Sequence, residues 1–353
     1  MGGTKTKKFS FLKKSDIATV IVILVGFLAA MFVAELIGGQ FKFFTITNWL
    51  NILMQNSVVG IMAAGMTLVM IAGGIDLSVG YLNSLGGILA AKVVVDGGAP
   101  VVAAILAAIA VCVGLEALMG WIIAKLKVEP FIITLGGSIC FQGVALLICK
   151  SREIVTQGQF AAFKTSLIGD AKTASGLTLS FPVYVVIFLV VAVVIWLMLK
   201  YTKYGRQIYA VGANPSAAFL SGINVTMVKF STYVINGALV GLGSILLLSR
   251  VGTAIITNGA SLEIDVIAAV VIGGVAMSGG KGNGLGTLLG VILLGAITNA
   301  MNVLKLQSEW QYVAKGAIII AAVAIGAVSA LITARNTLRR QKAEALNEQG
   351  ENE

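Results

Sequence analysis

Ten stretches of roughly 16 to 25 apolar residues constrain this chain more than any other feature of its sequence. Crossing a hydrocarbon core about 30 Å thick takes about 20 helical residues, because an α-helix rises about 1.5 Å per residue. The stretches are residues 17–37, 50–72, 77–95, 100–124, 131–149, 182–199, 230–248, 262–277, 285–304 and 312–333. The sequence therefore predicts an all-α polytopic membrane protein with about ten transmembrane helices. The eighth stretch has a shortened apolar part, so we expect short or broken helices among them.

The composition excludes a soluble fold. Hydrophobic residues make up 58% and charged residues 11% of the chain, whereas soluble domains are about half apolar and about a quarter charged. The sequence contains no histidine, and Cys112, Cys140 and Cys149 lie inside apolar stretches without metal-ligand spacing. We therefore expect no metal site, no cofactor and no histidine-based catalysis.

The distribution of basic residues predicts the orientation of the chain. The formal net charge is +10, but the basic residues lie at the ends of apolar stretches, which indicates membrane orientation and not nucleic-acid binding. About twice as many lie on the side of the lysine-rich N-terminus as on the other, so both termini should be cytoplasmic. This predicts an N-terminal segment (1–16), a transmembrane domain (17–333) and a polar tail (334–353), with an outside loop at about 150–181 and an inside loop at about 201–226.

Two acidic residues occur in apolar surroundings. Gly73, Gly74 and Asp76 interrupt the apolar sequence and predict a helix boundary, at which Asp76 caps the third helix. A carboxylate at membrane depth is also a candidate proton or cation relay. Glu116 lies within the fourth stretch without a basic residue one turn away, so it must face protein, water or a partner, or be protonated. A structural role and a place on a transport path are both open for it.

Glycine patterns indicate helix ends and close packing. The pair Gly73–Gly74 recurs as Gly273–Gly274, each followed by a serine and a further glycine at the same spacing. An old duplication and chance matching in a glycine-rich sequence are both open as explanations for these four matches. Gly237 and Gly241 are four residues apart, so they predict a helix that meets a neighbour at close range.

Uncharged polar residues inside the stretches predict a passage for a polar solute. Asn51 and Gln55 are four residues apart on one helical face, Asn299 and Asn302 are three apart, and Asn236 lies in the seventh stretch. Hydrogen bonding between helices, worth about 0.6 kcal/mol, is the alternative explanation for each residue alone. As a set, they favour a polar passage.

The inside loop has the sequence pattern of a short helix. The chain also has a glycine-rich run that must be compared with nucleotide-binding motifs. Within Tyr204–Val225, Asn214 and Pro215 start a short helix and Gly222 ends it. The glycine-rich run around Lys281 lacks the spacing and the hydroxyl residue of a phosphate-binding loop. We therefore expect a chain that is not an enzyme and does not hydrolyse ATP by itself.

Three long blocks, Phe43–Gly80, Tyr204–Val225 and Glu263–Gly290, resemble the ribose-type permeases of bacterial ATP-binding-cassette sugar importers. The resemblance implies a permease of the cytoplasmic membrane that carries a monosaccharide inward through the lipid bilayer. The implied partners are a second copy of the permease or a homologous permease, two cytoplasmic ATPase subunits and an extracytoplasmic solute-binding protein.

In that family the loop between the sixth and seventh spans is taken to dock on the ATPase. The matching residues are Asn214, Pro215, Ala217, Ala218, Ser221 and Gly222. A second hypothesis is an ion-coupled secondary transporter in which Asp76 or Glu116 binds the coupling proton. The motifs are shared across sugars, so the sequence leaves the sugar open.

Overall fold

The structure is a computed structural model, and it describes most of the chain. The described residues are 16–39, 41–166, 171–172, 178–179, 181–307, 309–318, 320–321 and 324. Nearly all of the predicted N-terminal segment, all of the predicted tail and most of the tenth predicted span lie outside these residues. Gln307–Glu353 is a separate unit from Met1–Leu306, and residues 309–318 within it are helical.

The chain is predominantly helical, as the apolar stretches predict. The α-helices described within Met1–Leu306 are α1 (Asp16–Gly38), α2 (Ile46–Ile71), α3 (Val79–Val95), α4 (Val101–Leu126), α5 (Pro130–Cys149), α6 (Val183–Tyr201), α7 (Lys203–Ala213), α8 (Pro215–Leu220), α9 (Val225–Val251), α10 (Leu262–Ile272) and α11 (Gly284–Val303). Two-residue strands pair antiparallel: β1 (Ile154–Val155) with β4 (Thr253–Ala254), and β2 (Ala171–Lys172) with β3 (Thr178–Leu179). Short 3-10 helices lie at Ala161–Lys164 and Ile256–Gly259.

Seven helices in the described part of the chain are long and apolar enough to cross a membrane. They are α1, α2, α4, α5, α6, α9 and α11, and each falls on one of the predicted spans. Two further predicted spans are shorter, since α3 has 17 residues and α10 has 11. The eighth predicted span extended to Met277 but the helix ends at Ile272, so this prediction was too long at its C-terminal end.

The ends of α2 and α10 explain why both helices stop within apolar sequence. The glycine that follows each helix has a left-handed backbone, with φ of +84° at Gly73 and +85° at Gly274. In each case the next backbone N–H returns to a carbonyl five residues earlier, at 2.9 Å after α2 and 3.2 Å after α10. This is the Schellman helix ending. The structurally equivalent glycines are Gly73 and Gly274, whereas the sequence recurrence aligns Gly73 with Gly273.

The core of the chain is formed around α2 and α9. Every residue of α2 from Ser57 to Ile71 is buried, and α9 packs on α4 with almost no space between the backbones. A Cβ atom at Gly237 would lie 2.7 Å from the carbonyl oxygen of Cys112, and one at Gly241 would lie 2.8 Å from the Cα of Ile109. The close helix approach predicted from these glycines is confirmed. Helices α1, α4, α5 and α6 expose many large apolar side chains, as surfaces in contact with lipid do.

Candidate coupling helix and buried polar cluster

Two short helices, α7 and α8, occupy the predicted inside loop. Asn214 is the N-cap of α8, and its Oδ1 accepts a hydrogen bond from the backbone N–H of Ala217 at 3.0 Å. Pro215 takes the first helical position, which suits a residue without an N–H, and Gly222 follows the helix with φ of +82°. The short helix expected between Asn214 and Gly222 is therefore present.

The surface of α8 is unusually apolar for an exposed helix. Phe219 is 70% exposed, Leu220 is 85% exposed, and Met227 at the start of α9 is 57% exposed. Ala218 faces inward and is buried. The other residues predicted to dock on an ATPase are exposed: Asn214, Pro215, Ala217, Ser221 and Gly222. Large apolar side chains exposed together are typical of a surface that binds another protein.

Three backbone segments meet at the end of α7. We call this contact the glycine crossing, and its residues are Ile71, Gly73, Gly212, Gly279 and Gly280. The N–H of Gly280 donates to the carbonyl of Ile71 at 2.8 Å. A Cβ atom at Gly212 would lie 1.7 Å from that same oxygen, and one at Gly279 would lie 2.9 Å from the Cα of Gly73. The end of α2, the end of α7 and the segment after α10 therefore touch through backbone atoms, and side chains would not fit between them.

Side chains of α7 add two further connections. The Tyr209 hydroxyl donates to the carbonyl of Gly282 at 2.9 Å, and burial raises the pKa of this hydroxyl above its ordinary value. The hydroxyls of Tyr204 and Ser231 lie 2.6 Å apart and join α7 to α9. A displacement of α7 must therefore act on α9 and on the segment between α10 and α11.

Four polar residues in the interior form what we call the buried polar cluster: Asp76, Ser78, Glu116 and Asn236. All four are 0% exposed. Asp76 accepts from the Asn236 side-chain amide at 2.7 Å, from the Ser78 N–H at 2.8 Å and from the Ser78 hydroxyl at 2.7 Å. The cluster thus joins the turn before α3 to α9. The N-cap of α3 is Ser78 and not Asp76, so Asp76 accepts from the N–H of the cap residue and lies outside the first turn itself.

Glu116 joins this cluster through Ser78. The Ser78 hydroxyl donates to Glu116 Oε1 at 3.3 Å as well as to Asp76. The second carboxyl oxygen of Glu116, Oε2, has no hydrogen-bond partner among the described residues. Neither acid is in an ion pair with a described residue. Ser78 therefore connects α4 to the turn before α3.

The residues predicted to line a passage occupy different environments. Asn299 exchanges two amide hydrogen bonds with Asn48, at 2.7 and 2.9 Å, and so links α11 to α2. Asn236 belongs to the buried polar cluster. The remaining three range from half-buried Asn51 to exposed Gln55 and Asn302. In this conformation Asn236 and Asn299 connect helices.

Comparison with known proteins identifies the family. Residues 48–323, which include α8 and the buried polar cluster, match the permease component of branched-chain amino acid transport systems. The chain belongs to this permease family. The ribose import permease protein RbsC of Haemophilus influenzae is 40% identical over 281 residues, which cover 80% of this chain and 85% of that protein. The family confirms the predicted membrane permease.

Other relatives of this permease handle other sugars. The D-allose transport system permease protein AlsC of Escherichia coli is 34% identical and covers 80% of this chain and 84% of its own length. The galactose/methyl galactoside import permease protein MglC of Haemophilus influenzae is 33% identical, with 91% and 96% covered. No solved structure matches the chain significantly. These relatives favour an import permease over an ion-coupled carrier.

Proposed function

We propose that this permease is the membrane-spanning subunit of an ATP-binding-cassette importer that carries a ribose-like monosaccharide into the cytoplasm. Relatives at 33 to 40% identity import ribose, D-allose or galactose. The observation that carries the proposal is α8, whose exposed Phe219 and Leu220 offer a docking surface while the glycine crossing connects α7 to the interior. A carrier driven by an ion gradient needs no such external contact.

The energy source is a separate pair of ATPase subunits. The sequence around Lys281 does not form a phosphate-binding loop, so ATP binding and hydrolysis occur on partner chains. When the ATPases close, α8 moves with them, and the glycine crossing transmits the movement to the ends of α2 and α10. The change in access follows only if the ATPases contact the two states unequally.

The complete assembly contains two permease chains, either two copies of this one or one copy with a homologous permease. An extracytoplasmic solute-binding protein delivers the sugar. The predicted docking residues contact the ATPase, and Asn51, Gln55, Asn236, Asn299 and Asn302 are proposed for the sugar path. Asn236 and Asn299 must first exchange their present hydrogen bonds to reach a solute.

The proposed topology has ten passes with both termini in the cytoplasm. It is supported by the charge bias of the loops, which places α7 and α8 inside and residues 150–181 outside. In a variant without native cysteines, Cys at Ser216 should react with an impermeant thiol reagent only after permeabilisation. Cys at Gln157 should react in intact cells. The reverse labelling would contradict this orientation.

The proposed substrate is tested by uptake of labelled ribose into liposomes that contain the permease, its ATPase and its binding protein with ATP at the ATPase side. We expect uptake that an excess of unlabelled ribose abolishes, and competition by D-allose, fructose and galactose would rank the sugars. The family name includes branched-chain amino acid transport, so labelled leucine is the matched comparison. Uptake of leucine without uptake of any of these sugars would refute the sugar assignment.

A further inference from the structure

A cleft of about 250 Å³ opens between the end of α6, α7 and the start of α11. We call it the basic cleft. Its lining residues are Trp196, Leu199, Lys200, Arg206, Tyr209 and Asn283. None of the lining residues is a predicted docking residue or a member of the buried polar cluster. Only Tyr209 also takes part in the link between α7 and the segment before α11.

The charge of the basic cleft suits an anion. Lys200 and Arg206 are both exposed, and neither is in an ion pair with a described residue. None of the lining residues is acidic. Asn283 is also the N-cap of α11 and accepts from the Leu285 N–H at 2.9 Å, so the positive end of a 20-residue helix lies at the same wall. A phosphate group is therefore the complementary ligand.

The position of the basic cleft indicates that this phosphate belongs to a lipid. The cleft lies where the apolar sequence of α6 ends, and the Lys200 ammonium is 5.0 Å from the ring centroids of both Trp196 and Tyr201. Trp and Tyr at the end of a span mark the level of the lipid headgroups, and a cation held over their rings remains at that level. The exposed apolar residues just before it on α6 are Val193, Val194 and Leu197.

We propose that the basic cleft binds the phosphate of an anionic phospholipid in the leaflet on the α8 side of the membrane. Lys200 and Arg206 contact the phosphate oxygens, the guanidinium of Arg206 through paired hydrogen bonds. The acyl chains lie along the exposed apolar face of α6. Because Tyr209 lines the cleft and also bonds to Gly282, the bound lipid adjoins the connection between α7 and the segment that precedes α11.

The test uses the delipidated full-length permease and native mass spectrometry with phosphatidylglycerol and phosphatidylcholine of identical acyl chains. The variant K200Q/R206Q removes both cations, and K125Q/K127Q removes two exposed lysines at the end of α4 as the matched control. Each Lys or Arg near an anionic surface contributes about fivefold to binding, so losing two should weaken phosphatidylglycerol binding roughly 30-fold. We expect the control to bind it like the unmodified protein, and K200R/R206K, which keeps both charges but moves the guanidinium, to weaken binding less than K200Q/R206Q does.

Three results would overturn the proposal. Equal phosphatidylglycerol binding by K200Q/R206Q and K125Q/K127Q would show that the cleft is not the lipid site. Displacement of the lipid by millimolar inorganic phosphate, with phosphate itself bound only when Lys200 and Arg206 are present, would identify a site for free phosphate. Unchanged lipid binding with weaker ATPase association in K200Q/R206Q would identify a protein-docking surface. Circular dichroism melting of each variant confirms that it is folded before binding is compared.

Discussion

Replacing Gly212 by Ala should separate the three segments of the glycine crossing. The new Cβ would lie 1.7 Å from the Ile71 carbonyl oxygen, and since real Cβ atoms stay at least 3.0 Å from other atoms, the backbones must move apart by about 1.3 Å. A shift of that size breaks the 2.8 Å bond from Gly280 to Ile71. Unpaired buried backbone groups cost about 1–3 kcal/mol and overpacking costs about 1–3 kcal/mol. The expected loss is therefore about 2–6 kcal/mol of local stability.

The assay is sugar uptake and ATP hydrolysis measured together in liposomes that contain the complete importer. We expect Gly212→Ala to lower the sugar transported per ATP at least about fivefold, because α7 loses its contact with the end of α2. Gly143→Ala in α5 is the matched control, since nothing lies within 4 Å of its Cβ, and Ala favours a helix by about 1 kcal/mol. It should retain normal uptake and melt no lower than the unmodified protein.

If Gly212→Ala does not fold, Tyr209→Phe examines the same connection more gently. It removes only the 2.9 Å bond to Gly282, worth about 0.5–1.5 kcal/mol, and should lower the transport ratio without preventing assembly. Unchanged transport per ATP in Gly212→Ala or Tyr209→Phe, in protein shown to be folded, would refute the idea that the crossing transmits movement from α8.

Substitutions at three other positions separate docking, buried polarity and helix connection. Ala217→Arg changes an exposed position on α8, so stability should change by less than about 0.5 kcal/mol, while uptake and co-purification of the ATPase fall about tenfold; normal uptake would exclude this docking surface. Glu116→Gln retains the oxygen that accepts from the Ser78 hydroxyl and should melt near the unmodified protein, whereas Glu116→Ala should lose about 2–4 kcal/mol; equal melting of the two variants would argue against a structural role for this hydrogen bond. Asn299→Ala removes both bonds to Asn48 and should cost about 1–2 kcal/mol and raise the KM for sugar, because Asn299 is proposed for the sugar path; an unchanged KM would confine its role to the link between α11 and α2.

The long helices could be predicted because lipid imposes a simple length requirement on apolar sequence. The predicted stretch 182–199 and the observed α6 (Val183–Tyr201) agree within two residues, since Pro182 and Lys200 mark its ends. The C-terminal end of α10 was less predictable. Val275, Ala276 and Met277 continue the apolar pattern, but the left-handed backbone at Gly274 ends the helix before them.

The helix α7 could not be recognised from hydrophobicity, because Lys203–Ala213 is too short and too polar to resemble a span. Its neighbour α8 was recognisable from the Asn214–Pro215 pair, which combines an N-cap with a favourable first helical residue. The sequence signal for α7 is Thr202, whose hydroxyl accepts from the Gly205 N–H at 3.0 Å. This is a helix-capping pattern, but it lies in a segment whose sequence otherwise predicts only a loop.

The contacts of the buried polar cluster were beyond sequence analysis. Asp76 and Glu116 each stood out as acids in apolar surroundings, yet their proximity depends on how α3, α4 and α9 pack together. Asn236 is proposed for a solute path, and its hydrogen bond to Asp76 could not be foreseen from the sequence. Similarly, nothing in the sequence indicated that Asn48 would be the partner of Asn299. Sequence spacing identifies neighbours on one helix, and these pairs join different helices.

Under the proposed function, this permease moves sugar only when a separate ATPase acts through α8. The most direct measurement is uptake of labelled ribose into liposomes from which the ATPase, ATP or the binding protein is omitted one at a time, alongside liposomes that hold the permease alone with an imposed proton gradient. We predict uptake only in the complete system with ATP. Uptake by the permease alone, driven by the proton gradient, would contradict the account and restore an ion-coupled role for Asp76 or Glu116.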